Sequence, residues 1–111
     1  MGIEQRRHLR VKYPVNNRAG VQFDKTGKVV DISESGMKAI IPGSSLKVGQ
    51  QILGTYAPLA SKPLRFSGKV VRNVGDLVMI EFAKPMPRNI LKTEVDHLIA
   101  AHGGFAEADE H

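Results

Sequence analysis

A chain of 111 residues with 16 Lys or Arg, 11 Asp or Glu, no Cys and no Trp carries a formal charge of +5. That length fits one ordinary core, and the apolar share argues against wholesale disorder. The absence of Cys excludes a disulfide scaffold, a thiolate metal site and a Cys nucleophile together. No apolar run approaches a membrane span, and Met1-Gly2-Ile3-Glu4-Gln5-Arg6-Arg7 lacks the apolar segment of a secretory signal. The charge is uneven. Residues 1–18 hold Arg6, Arg7, Arg10, Lys12 and Arg18 against Glu4 alone, while Glu107, Asp109 and Glu110 make the end acidic. A basic head of this kind suits an anionic partner, although solvated termini explain the same pattern.

Two-residue alternation governs the first four-fifths of the chain. It predicts a half-buried strand over Val11–Phe23, a turn at Asp24-Lys25-Thr26-Gly27 with Gly27 at positive φ, and a returning strand over Lys28–Ile32. Ser33-Glu34-Ser35-Gly36 is a second turn, Met37–Ile41 a third strand, and Pro42-Gly43-Ser44-Ser45 its end. Gln50–Ala57 and Leu64–Val74 follow as strands separated by Pro58 and Pro63, and Gly75-Asp76 turns the chain into Leu77–Phe82. After Ala83 the period changes. Pro87 suits a first helical turn, Leu91, Val95, Leu98 and His102 share one helical face, and Gly103-Gly104 stops the helix. Five or six short strands punctuated by 11 Gly and 6 Pro predict a closed or nearly closed antiparallel barrel with one terminal helix, and the pattern alone also fits a sandwich.

Two segments carry candidate chemistry. Arg6-Arg7-His8-Leu9-Arg10 packs three guanidiniums into a segment that Pro14 biases toward extended geometry. A guanidinium offers paired planar donors to a phosphate or to the O6/N7 edge of guanine, and its flat face stacks on a base. In Asp31-Ile32-Ser33-Glu34-Ser35-Gly36, a strand end places Asp31 and Ser33 on one face, and Gly36 permits a sharp turn or a close ligand approach. The carboxylate can accept from guanine N1 and N2, and the hydroxyl can serve a phosphate. A simple Asx or Ser turn accounts for the second segment equally well.

The order Arg6-x-x-x-Arg10, a hairpin, then Asp31-x-Ser33-x-x-Gly36 resembles the PilZ domain over nearly the whole chain. Ser67–Arg72 followed by Val78–Phe82 resembles that family's later strand pair. The resemblance implies a single domain: an arginine-rich, flexible arm (1–12), a six-stranded antiparallel β-barrel (13–83), a C-terminal α-helix (87–102) and an acidic tail (105–111). It implies a bacterial, cytoplasmic receptor for the second messenger cyclic di-GMP that changes conformation on binding. Such a receptor would regulate a partner protein in motility, attachment or exopolysaccharide output. Arg6 and Arg10 would grip phosphates and guanine edges with Arg7 as helper, and Asp31, Ser33 and Gly36 would contribute from the barrel surface. Arg72 would reach the ligand from a neighbouring strand, and Gln5 would bear on whether one or two ligands bind.

No catalyst, cofactor or metal site is expected. His97 and His102 are five residues apart rather than four, His8 and His111 lie near the ends, and Met79 and Met86 read as core. The rival readings are a basic barrel for single-stranded nucleic acid and a PilZ-shaped protein adaptor. The scarcity of aromatic residues argues against the first, and the complete motifs against the second.

Overall fold

The computed structural model describes residues 9–102. Seven strands and one helix follow in order: β1 (Arg10–Lys12), β2 (Gly20–Gln22), β3 (Thr26–Ser33), β4 (Gly36–Ile40), β5 (Gln51–Ala57), β6 (Leu64–Val74), β7 (Leu77–Phe82) and α1 (Arg88–His102). All pairings are antiparallel, and the cycle β3-β2-β5-β6-β7-β4-β3 closes a six-stranded barrel. The seventh strand, β1, is an annex. It pairs with the second half of β3, from Arg10↔Ser33 to Lys12↔Asp31, while β2 takes the first half of the same edge.

The single strand expected over Val11–Phe23 is therefore two short ones. Both run antiparallel to β3, but seven residues separate Lys12 from Gly20 where their β3 partners, Asp31 and Lys28, lie three apart. The surplus loops out at Pro14, which has no N–H to give a ladder. A turn closes there with Asn17 N–H donating to Pro14 O at 3.0 Å, and Val15 at its tip is 80% exposed. Gly27 is also corrected. It lies inside β3 rather than at positive φ, and its missing side chain matters because a Cβ there would stand 2.5 Å from the Ile40 carbonyl oxygen. Gly75, by contrast, sits at φ 63° in the two-residue β6–β7 turn.

Inward residues fill the barrel. Val21, Val29, Ile32, Ala39, Tyr56, Val70 and Val78 are almost fully buried, and Phe66 meets Phe82 edge-on at 5.4 Å between ring centroids. The face of α1 carrying Leu91, Val95 and Leu98 completes this core. The side chain of His102, the Gly103-Gly104 stop and the acidic tail lie outside the described residues.

One member of the buried helical face has no apolar signature. Glu94 is fully buried and accepts from Tyr13 Oη at 2.5 Å, Leu59 N–H at 2.7 Å and Ala60 N–H at 3.0 Å. Tyr13 Oη also meets Tyr56 Oη at 2.5 Å. Burial raises the pKa of Tyr13 above the ordinary phenol range, and Tyr56 and Glu94 raise it further. Burial raises Tyr56 as well, outweighing the opposing effect of its bond with Tyr13. This cluster ties α1 to the residue that follows β1.

Candidate functional site

Of the residues singled out in the two motifs, Arg10, Asp31, Ser33 and Gly36 converge on the outer face of the barrel. A cavity of about 250 Å³ is lined by Arg10, Asp31, Ser33 and Gly36 together with Lys38, Met79 and other residues of β4, β6 and β7. The β1–β3 ladder makes this convergence, since Arg10 is directly opposite Ser33 and diagonal to Asp31. Arg10 is thus a strand residue, held in register before any ligand arrives. Gln5, Arg6 and Arg7 lie outside the described residues.

Two β-bulges set the parity of the site. In β3 the register shifts between Val29 and Asp31, so Val29 and Ile32 both face the core while Asp31 faces out. In β6 the register shifts between Val70 and Arg72, so Val71 and Arg72 are both exposed although they are adjacent. An unbroken pleat alternates faces and would send one residue of each neighbouring pair inward. The result is one outward row across five strands: Lys12, Asp31, Lys38, Met79 and Arg72 are successive cross-strand partners. With adjacent strands about 4.8 Å apart, Asp31 and Arg72 are separated by three spacings, about 14 Å of backbone. Arg72 stands at the far end of the row and does not line the cavity, whereas Val71 does.

Asp31 is the centre of charge. Its Oδ1 is 3.9 Å from Arg10 Nη1 and its Oδ2 is 3.9 Å from Lys38 Nζ, within Coulomb reach but beyond hydrogen-bond distance. The carboxylate is 16% exposed and the two cations 44% and 34%, so the cluster opens to solvent with one positive charge in excess.

Ser33 and Gly36 have structural work of their own. Ser33 Oγ accepts from Ser35 N–H at 3.3 Å and donates to Gly36 O at 3.4 Å, closing the β3–β4 turn as a serine turn. Gly36 ends the two-residue β3–β4 turn without a positive φ. A Cβ there would lie 2.3 Å from the Ile80 carbonyl oxygen, so the close approach that requires glycine is to β7. The turn is fastened to the start of α1, because Met86 N–H donates to Glu34 O at 2.8 Å, Phe82 N–H to Ser35 O at 2.8 Å, and Arg88 pairs with Glu34.

Sequence reasoning missed Lys38 and placed Met79 in the core, whereas Met79 faces outward between Lys38 and Arg72. The signal for Lys38 was present, since it follows Gly36 by two on the same face of β4. The model of the PilZ domain matches residues 4–101. The chain belongs to the PilZ domain family. PilZ domains are binding domains of the cyclic di-GMP receptor class, and the family match spans both motifs, the barrel and the helix almost to its end. No curated protein matches the chain. Among the described residues, no helix is long and apolar enough to cross a membrane.

Proposed function

We propose that this PilZ domain binds cyclic di-GMP on the outer face of its barrel and passes the binding event to a partner protein, without catalysing a reaction. The observation that carries this reading is the convergence of Arg10, Asp31, Ser33 and Gly36 on one solvent-open cavity. Arg10 offers paired donors to a phosphate or to guanine O6/N7, and Asp31 accepts from guanine N1 and N2, which adenine cannot supply. Arg6 and Arg7 add cations from the arm, Ser33 and Gly36 hold the turn that presents Asp31, and Arg72 serves the outer end of the row. Gln5, beside the arm motif, bears on ligand number. Support for an output comes from the fastening of the motif turn to α1 through Glu34. The cytoplasm of a bacterium is the compartment that fits such a receptor, and motility, attachment or exopolysaccharide output are the processes a partner would serve.

Calorimetric titration with cyclic di-GMP tests the reading, with cyclic di-AMP, GTP and single-stranded DNA as competitors. Saturable binding of cyclic di-GMP that cyclic di-AMP does not displace is expected. Arg10→Ala should weaken binding at least about tenfold, the loss of a charge-assisted pair, with thermal unfolding unchanged because the side chain is 44% exposed. No saturable binding in the micromolar range would overturn the reading, and DNA binding that falls steeply with salt would favour a nucleic-acid barrel instead.

A further inference from the structure

Asp31 does not pair with one cation but stands between two. Arg10 approaches one carboxylate oxygen and Lys38 the other, each at 3.9 Å. Neither cation is at hydrogen-bond distance, so the acceptor positions of the carboxylate are not taken by them. Lys38 is on β4, outside both sequence motifs, and its side chain is 34% exposed and lines the cavity. It projects from the outward row between Asp31 on β3 and Met79 on β7. A second positive charge therefore faces the same opening as Arg10, on the opposite side of the carboxylate.

We infer that Lys38 is a further ligand-binding residue, a phosphate contact that Asp31 holds ready before binding and releases when its carboxylate engages a guanine edge. The inference rests on the cyclic di-GMP reading and deepens it. Before binding, each cation is held loosely by a shared anion. A guanine that donates N1–H and N2–H to Asp31 fills those open acceptor positions, and the two loosely held cations turn toward the two phosphates of the same ligand. A base without those donors leaves Arg10 and Lys38 facing Asp31 and gains neither phosphate contact in full. Base identity at Asp31 and phosphate binding at Lys38 become one event, so discrimination against adenine exceeds what the base contact alone supplies. Met79 and Val71, which line the same cavity beside Lys38, supply an apolar surface for the ring face.

The test is calorimetric titration of cyclic di-GMP into wild type, Lys38→Met, Asp31→Asn and the double variant over a series of salt concentrations. Methionine keeps the length of the stem and removes the charge, and Lys38→Arg serves as the charge-conserving control. Lys38→Met is expected to weaken binding about tenfold and to make the affinity less sensitive to salt, while Lys38→Arg stays near wild type. Because the contact is to the ligand, Lys38→Met should still weaken binding severalfold in the Asp31→Asn background, where the side chain keeps an acceptor oxygen. Should Lys38 act only by holding Asp31, its removal would change nothing in that background and would leave the salt dependence as it was; that result overturns the inference. Wild-type binding with an unaffected Lys38→Met also overturns it alone, whereas absence of wild-type binding overturns the ligand reading together with it.

Discussion

Replacing Glu94 by Gln exchanges one carboxylate oxygen for an NH₂ in a site that suits the NH₂ at neither position. Both carboxylate oxygens accept from backbone donors that cannot turn away: Oε1 from Ala60 N–H at 3.0 Å and Oε2 from Leu59 N–H at 2.7 Å. Whichever way the amide of Gln is oriented, its NH₂ faces one of those N–H groups, and a donor is left without an acceptor where residue 94 has no exposed surface. An unsatisfied buried donor costs about 1–3 kcal/mol, and the surviving bonds lose charge assistance. About 3 kcal/mol in total is the expectation. For a domain of this size 1 kcal/mol moves the midpoint by roughly 4–8 °C, so Glu94→Gln should melt about 15 °C below wild type. Differential scanning calorimetry reads this directly. A Gln variant within about 2 °C of wild type would show that Glu94 does not accept from both loop amides, and the account of how α1 is held would fail.

The two tyrosines of the cluster are the only ones in the chain, and there is no Trp, so the tyrosinate absorbance reports on them alone. Both folded pKa values are raised, chiefly by burial. The stability they contribute is therefore fully present below the unfolded value near 10 and is lost as pH rises above it, by up to about 2.7 kcal/mol per pH unit for two protons. Tyrosinate should appear only together with loss of the far-ultraviolet circular dichroism signal; ionisation near pH 10 in a folded protein would contradict the burial argument. For Gly36→Ala, a Cβ 2.3 Å from the Ile80 carbonyl oxygen forces β4 and β7 apart, and a cost of about 1–3 kcal/mol is expected. Thermal unfolding as in wild type would mean that Gly36 serves the ligand rather than the ladder.

Where punctuation is strong, the elements could be read from residue order. The strands Leu64–Val74 and Leu77–Phe82 and the helix Arg88–His102 lie where the spacing predicts them, because Pro63, Gly75 and Pro87 each force a boundary. The number and length of the strands pointed to a closed or nearly closed barrel, and the count of six came from the resemblance to the PilZ domain. The division of Val11–Phe23 was harder to read, since Val11, Val21 and Phe23 keep the alternation on either side of a loop that only Pro14 marks. Glu94 escaped because a carboxylate on a helix is ordinarily a solvated residue, and its three donors come from the β5–β6 loop and from Tyr13, far away in the chain. The bulges at Val30 and Val71 were beyond reach for a different reason. They are properties of ladder register, and β-branched residues at these positions look like any other strand residues. Their effect on the site is large, because each one decides which side of the barrel its neighbours face. Residue types in Arg10-to-Gly36 order indicated which groups meet, but not that Lys38 and Met79 share their row.

A six-stranded barrel with its interior filled by side chains has no room for a dinucleotide inside, so a ligand of that size must be recognised on the outer face. An outer face of regular pleat offers alternate residues only, spread over a convex surface, and that is a poor basis for a dense polar site. The bulge in β6 relieves this by exposing two consecutive residues, and the bulge in β3 keeps Asp31 outward while Val29 and Ile32 remain in the core. The annex strand adds the remaining element, since β1 lays Arg10 beside Ser33 without being needed to close the barrel. A strand outside the closed cycle can shift without breaking the ring of ladders, which suits it to respond to a ligand. Its displacement would be felt in the helix, because Tyr13, one residue beyond β1, donates to Glu94 in the middle of α1. The motif turn reaches the same helix at its first residue through Glu34 and Arg88. Two connections from opposite sides of one small site therefore end on a single rigid element, and α1 is the part of the barrel's surroundings on which both sides of the site act.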